Sequence, residues 1–196
     1  MGVAGRDLSV VRPRDPEALL SDAAFDHNEF LPYWAELWPS ALALARFIGA
    51  RALKGARCLE LGCGLGLPSL AAAAAGGKVT ATDWAPDSIT ITAENARRNG
   101  LSVATAVVSW TEPAPLLAAA PWDLVLASDV LYEPRNGEAL LPLLPQLIDE
   151  KGEIWLADPG RTAAEPFLKA AADAFEIDKR AAQEVPQGAV YRLRRR

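Results

Sequence analysis

The residues able to do chemistry gather in a few short segments. The most informative is Glu60-Leu61-Gly62-Cys63-Gly64-Leu65-Gly66. Glycines there let the backbone approach a ligand closely, and a helix that follows offers free N–H groups. The spacing is not the dinucleotide fingerprint Gly-x-Gly-x-x-Gly. Counted from Gly62 the sixth position is Leu67, and from Gly64 it is Ser69. Glu60 stands two residues before the first glycine, where a carboxylate repels a pyrophosphate but pairs with an ammonium group. The expected ligand carries an amino-acid end rather than two phosphates.

Two further segments fit a nucleoside. Asp83, in Thr82-Asp83, is placed to accept both hydroxyls of a ribose. Its other reading is an N-cap of the next helix, although Trp84 and Ala85 intervene before Pro86. Trp110, in Ser109-Trp110, either packs on an adenine face or belongs to the core. Asp158-Pro159-Gly160 is explained by turn chemistry. His27 and Glu29 carry no functional assignment. Glu36, near Trp38, either faces a substrate or complements a helix N-terminus.

These residues need elements to hold them. Apolar residues at helical spacing follow Trp38-Pro39-Ser40 and stop at Gly55. Short apolar or β-branched runs then alternate with helical patterns. Strands are expected over 57–61, 78–82, 103–108, 122–128 and 152–157, and helices through 71–75 and over 86–99, 135–149 and 162–174. Two more strands, 175–180 and 188–193, are joined by a link too short for a crossover, so they must pair antiparallel. The earlier strands, separated by helices, imply right-handed parallel crossovers. The expected fold is an α/β three-layer α/β/α Rossmann-like sandwich. Its seven-stranded sheet is mostly parallel with an antiparallel last strand. Residues 1–35 read as an N-terminal arm or lid, and 36–196 as the domain. In such sheets ligands bind at the carboxyl ends of the strands, where the four segments fall.

Composition removes other classes. A chain of 196 residues with 51% hydrophobic and 23% charged residues is one globular domain. A net charge of -5 argues against nucleic-acid binding, which relies on Lys and Arg. The basic cluster Arg192, Arg194, Arg195, Arg196 reads as a frayed end, with a local anion contact as the other reading. Two Cys and one His exclude a structural zinc site, and no metal is expected. Two free thiols, no leader and no apolar run long enough for a membrane helix lead to the expectation of a cytoplasmic protein, with no membrane partner.

The segments LELGCGLG (59–66), Thr82-Asp83, Ser109-Trp110 and LASDVLYE (126–133) occur in that order. Together they resemble the class I, seven-strand S-adenosylmethionine-dependent methyltransferases. Within that superfamily, WAELWPSA (34–41), Trp110 and Asp129-Val130-Leu131-Tyr132 are most similar to the protein-lysine methyltransferase-like group. The resemblance covers residues 33–194. It implies that Glu60, Gly62, Gly64 and Gly66 hold the methionine end of the cofactor. Asp83 would hold the ribose, with Trp84 next to it. Trp110 would lie against the adenine beside Ser109, and Trp38 and Ser128 would line the same cleft. It also implies that Asp129 and Tyr132 face the methyl acceptor; a strand-end cap for Asp129 and packing for Tyr132 are the other readings.

The reaction expected is an in-line displacement that needs no metal and no covalent nucleophile. A lysine of pKa about 10.4 must lose its proton first, which costs roughly 4–5 kcal/mol near pH 7. Asp129 would attract the ammonium and Tyr132 would hydrogen-bond it. The expected partner is a protein presenting a lysine to a monomeric enzyme. The alternatives are a small amine or heteroaromatic nitrogen as acceptor, or a non-catalytic S-adenosylmethionine-binding protein.

Overall fold

The computed structural model describes residues 2–3, 5–15 and 32–196. His27 and Glu29 lie outside the described residues. A small antiparallel pair, β1 (Gly2–Val3) and β2 (Arg6–Asp7), comes first. After a 3-10 turn at Tyr33–Ala35, the chain alternates. The helices are α1 (Pro39–Gly49), α2 (Leu67–Ala74), α3 (Pro86–Arg98), α4 (Ala114–Ala118), α5 (Pro134–Leu147) and α6 (Ala164–Ala171). The main strands are β3 (Arg57–Leu61), β4 (Lys78–Asp83), β5 (Val103–Val107), β6 (Leu124–Ser128), β7 (Glu153–Asp158), β8 (Phe175–Arg180) and β9 (Ala189–Arg195). Helix α4 was not expected. Its five residues are too few for a helical period to show in the sequence.

The seven strands lie in the order β5-β4-β3-β6-β7-β9-β8. Strand β9 runs antiparallel to both β7 and β8, so the last strand alone opposes the other six. The expected three-layer sandwich is therefore present. Alternate residues of the buried strands feed opposite faces. Leu59, Leu61, Val125, Ala127, Ile154 and Leu156 meet α5 and α6 on one face. Cys58, Leu124, Leu126, Trp155 and Ala157 meet α1 and α2 on the other.

The arginine tail is not a frayed end. Arg192 pairs with Glu153, Arg194 with Glu176 at 3.2 Å and Asp178 at 3.3 Å, all across the sheet from β9. The earliest described residues are also bound to the sandwich. Leu8 is buried among Ala45, Leu67, Leu70 and Ala96. Two side chains one turn apart, Asn95 in α3 and Asn99 at its C-cap, read the segment like a neighbouring strand. Asn99 bonds both backbone groups of Ser9, at 2.9 and 2.7 Å, and Asn95 both of Val11, at 2.7 and 3.1 Å.

Candidate active site

Strands β3 and β6 are neighbours at the centre of the sheet, where chain order reverses direction. Connections leave that point on opposite sides, which opens a crevice at the carboxyl ends. A cleft of about 340 Å³ lies there. Gly62, Gly64, Asp83, Trp84, Trp110, Ser128, Asp129 and Tyr132 all line it, and so does Trp38. Five segments far apart in sequence thus converge.

The glycine loop is held from below by α3. Ser88 Oγ and Thr92 Oγ1 donate to the Gly64 carbonyl at 2.8 and 3.0 Å, and Asn95 Nδ2 donates to that of Leu65 at 3.0 Å. Gly62 has φ +66°, and a Cβ there would come within 3.1 Å of Val130 and 3.2 Å of Trp110. A side chain at this position would press into the wall of the cleft. Trp34 covers the loop from above, its carbonyl oxygen 3.3 Å from where a Gly64 Cβ would stand.

Asp83 ties β4 to that loop. Its Oδ2 accepts the Gly64 N–H at 3.0 Å and its Oδ1 the Ala85 N–H at 3.0 Å. It is not the helix cap, because α3 begins after Ala85, which lacks a capping side chain. Burial raises its pKa above the ordinary carboxylate value, and the N–H bonds oppose that rise. Trp84 is 44% exposed at the rim. Ser109 is not in this cleft. It lines an adjoining hollow of about 600 Å³ that also touches Trp84, Trp110 and Tyr132.

Two residues of the glycine segment serve the fold instead of the cleft wall. Glu60 is fully buried and its Oε2 accepts the Ser69 N–H at 2.9 Å. The pleat that sends Leu59 and Leu61 toward α5 sends Glu60 to the opposite face, under the N-terminus of α2. Desolvation raises its pKa to about 8. Oε1 finds no partner among the described residues. Where the sequence pointed to an ammonium, Glu60 Oε2 bonds an N–H of the following helix, and Glu60 does not line the cleft. Gly66 is the N-cap of α2 at φ +79°, and its Cβ position lies 2.6 Å from Thr92 Cγ2. It permits close packing of loop on helix and does not line the cleft.

The opposite wall follows β6. Asp129 has φ 59°, a left-handed conformation that few residues other than Gly, Asn and Asp adopt readily. Its N–H donates to the Ala157 carbonyl at 2.9 Å, and its carboxylate is buried. Oδ2 accepts Ser40 Oγ at 3.2 Å, and Oδ1 accepts Arg161 Nε at 2.5 Å. Arg161 was not singled out in the sequence; it lies 32 residues from Asp129 in an irregular segment. The Tyr33 and Tyr132 rings are 5.2 Å apart, and Trp38 Nε1 donates to the Tyr33 carbonyl at 2.8 Å. Tyr33 and Trp34 likewise escaped sequence reading, although three aromatics within 33–38 hinted at a packed wall. Desolvation raises the Tyr132 pKa, so its hydroxyl stays protonated at neutral pH. Glu36 instead pairs with Arg12 at 2.8 Å, and Asp158 Oδ1 accepts the Gly160 and Arg161 N–H groups, as a turn acid does.

The profile of a family described as "Lysine methyltransferase" matches residues 33–173, a span holding every residue just described except Arg12. The chain belongs to the lysine methyltransferase family. Its S-adenosylmethionine-dependent methyltransferase activity agrees with the relatives. It is 34% identical to "Histone-arginine methyltransferase METTL23" of Xenopus laevis, over 81% of this chain and 67% of that one. It is 32% identical to "Electron transfer flavoprotein beta subunit lysine methyltransferase" of Danio rerio, over 68% of this chain and 52% of that one. Among solved structures, the ribosomal protein L11 methylase of Lactobacillus delbrueckii subsp. bulgaricus superposes with a TM-score of 0.61 at 26% identity. That match covers 81% and 77% of the two chains. The magnesium protoporphyrin IX methyltransferase of Synechocystis PCC 6803 shares the fold, with a TM-score of 0.63 at 17% identity, over 90% and 86%.

The cleft of this methyltransferase fits its cofactor. Gly62 keeps the floor free of a side chain that would meet Trp110 and Val130. Asp83 presents a carboxylate held by two backbone N–H groups, and Trp110 and Trp84 supply aromatic faces. Among the described residues no group of three or more His, Cys, Asp or Glu is placed to hold a metal.

Proposed function

We propose that this methyltransferase transfers a methyl group from S-adenosylmethionine to the side-chain nitrogen of a lysine in a protein substrate. The observation that carries this reading is the buried Asp129 carboxylate in the cofactor cleft, beside the aromatic side chains Trp38 and Tyr132. An anion flanked by aromatic rings favours a cationic side chain. The family description and the relatives' names support a protein acceptor.

The bound cofactor supplies a methyl group already activated on a sulfonium. Gly62, Gly64, Asp83 and Trp110 would hold and orient it. Asp129 draws in the ammonium of the acceptor, and the Tyr132 phenol oxygen accepts a hydrogen bond from its N–H, which leaves the nitrogen lone pair free to attack. The wall formed by Tyr33, Trp34 and Trp38 excludes water from the attacking nitrogen. The proton leaves to solvent before attack. We also read the enzyme as cytoplasmic, because Cys58 and Cys63 are both unpaired and buried.

The test is incubation of a cell lysate with the enzyme and radiolabelled methyl donor, followed by acid hydrolysis of the labelled proteins. Label recovered as methyl-lysine supports the proposal. Label in methyl-arginine moves the acceptor to the guanidinium named for the Xenopus laevis relative. Label confined to small molecules overturns the protein substrate.

A further inference from the structure

Asp129, the group assigned to the acceptor, is already engaged by a cation. Arg161 Nε donates to its Oδ1 at 2.5 Å, and the Arg161 guanidinium lies 5.7 Å from the centre of the Trp38 ring. A carboxylate below and an indole beside make a site for one cationic side chain. The two partners differ in wetness. The Asp129 side chain is 3% exposed, whereas that of Arg161 is 31% exposed. Arg161 is thus the member that can leave.

Its backbone does not need to move when it does. The Arg161 N–H donates to Asp158 Oδ1 at 2.7 Å, so the turn is held without the guanidinium. Arg161 also stands on a boundary. It lines the cofactor cleft and a groove of about 670 Å³ between α5 and α6, which it shares with Tyr132 and the carboxylate-bearing Glu138.

We propose that Asp129 and Trp38 form the binding site for the acceptor's cationic side chain, and that Arg161 fills this site until the acceptor displaces it toward the α5–α6 groove. The proposal rests on the cationic acceptor argued above. With Arg161 gone Asp129 keeps only the neutral Ser40 hydroxyl, and a buried carboxylate without a counter-charge is strongly destabilising; Arg161 prevents that between turnovers. Exchange of one cation for another keeps Asp129 paired throughout. The exchange also has a cost: apparent acceptor affinity is reduced by the fraction of molecules in which Arg161 is displaced. Arg161 therefore sets which acceptors compete well enough to enter.

Arg161→Gln tests this, because Gln keeps a hydrogen-bond donor for Asp129 and removes the charge. With lysate titrated as acceptor, its KM falls roughly five-fold while kcat changes less, as expected when a competing state is removed. Thermal unfolding gives a readout independent of transfer. n-Butylammonium chloride, which carries the lysine head group, raises the Tm of Arg161→Gln beyond an equal concentration of sodium chloride. It does not raise that of wild type or of Arg161→Gln/Asp129→Asn. A purely structural Arg161 gives a higher KM, or a butylammonium effect that is absent or that survives Asp129→Asn; any of these overturns the proposal. If Arg161→Gln does not fold, Arg161→Lys replaces it. Its compact ammonium packs less well on Trp38 than a planar guanidinium, so its KM falls too, and a rise overturns the proposal. Should no form label any protein, the acceptor reading fails while the butylammonium shift still decides this site.

Discussion

The Asp83 carboxylate accepts the Gly64 N–H at 3.0 Å, so the acid ending β4 holds the glycine loop that follows β3. One side chain thereby shapes the loop and faces the cleft. Asp83→Ala removes both functions. Hydrogen bonds to a charged group contribute about 1.5–3 kcal/mol each, so cofactor affinity falls about 10- to 100-fold by calorimetry. Unchanged affinity would remove Asp83 from the pocket.

Glu60 makes stability depend on pH. Its pKa in the fold is about 8, against an ordinary value of 4.5. The folded protein therefore binds a proton that the unfolded chain releases. That contribution is fully present below about pH 4.5 and is lost as pH rises through about 8. Glu60→Gln keeps a carbonyl for the Ser69 N–H and removes the ionisation. Its Tm should fall less than that of wild type between pH 5 and 9, and its cofactor affinity should stay within about three-fold, less than one lost hydrogen bond. Parallel Tm profiles would refute the buried proton.

Gly66→Ala should weaken the fold rather than act on the cleft directly. The left-handed φ of +79° costs a residue with a Cβ about 1–2 kcal/mol. The overlap with Thr92 Cγ2 at 2.6 Å adds to that. Urea unfolding measures the loss. The second substitution Thr92→Ser removes the Cγ2 contact but leaves the 2.8 Å approach of Oγ1 and the backbone strain, so it should recover part of the stability only.

Asn95 and Asn99 separate two effects of the N-terminal segment. Asn99 bonds Ser9 but not the glycine loop, whereas Asn95 bonds both Val11 and the Leu65 carbonyl. Asn99→Ala should speed proteolysis within residues 5–15 and leave cofactor affinity unchanged. Asn95→Ala should do both: release the segment and weaken cofactor binding several-fold. Equal affinities in the two variants would show that the Leu65 contact does not matter.

Much of the site was legible because its residues sit at strand ends. Gly62, Gly64, Asp83, Trp110, Ser128 and Asp129 come together once β5, β4, β3 and β6 are laid side by side. Glu60 lies away from the cleft because a strand residue's direction depends on what covers that face, and here the N-terminus of α2 does. The arginine tail was misread because β9 inserts between β7 and β8, which brings Glu153, Glu176 and Asp178 alongside it. No local period announces partners that distant.

Element order, the parallel crossovers, the final antiparallel pair and the glycine and strand-end acids all follow from local rules: periodicity, turn chemistry and loop length. Which acid meets the cleft and which meets a helix, and which cation meets Asp129, are questions of direction and proximity. Arg161 reaches Asp129 across 32 residues because the turn after β7 lies beside the end of β6. That adjacency, and with it the Arg161–Asp129 ion pair, exists only when the sheet is assembled, because a salt bridge depends on distance in space and not along the chain.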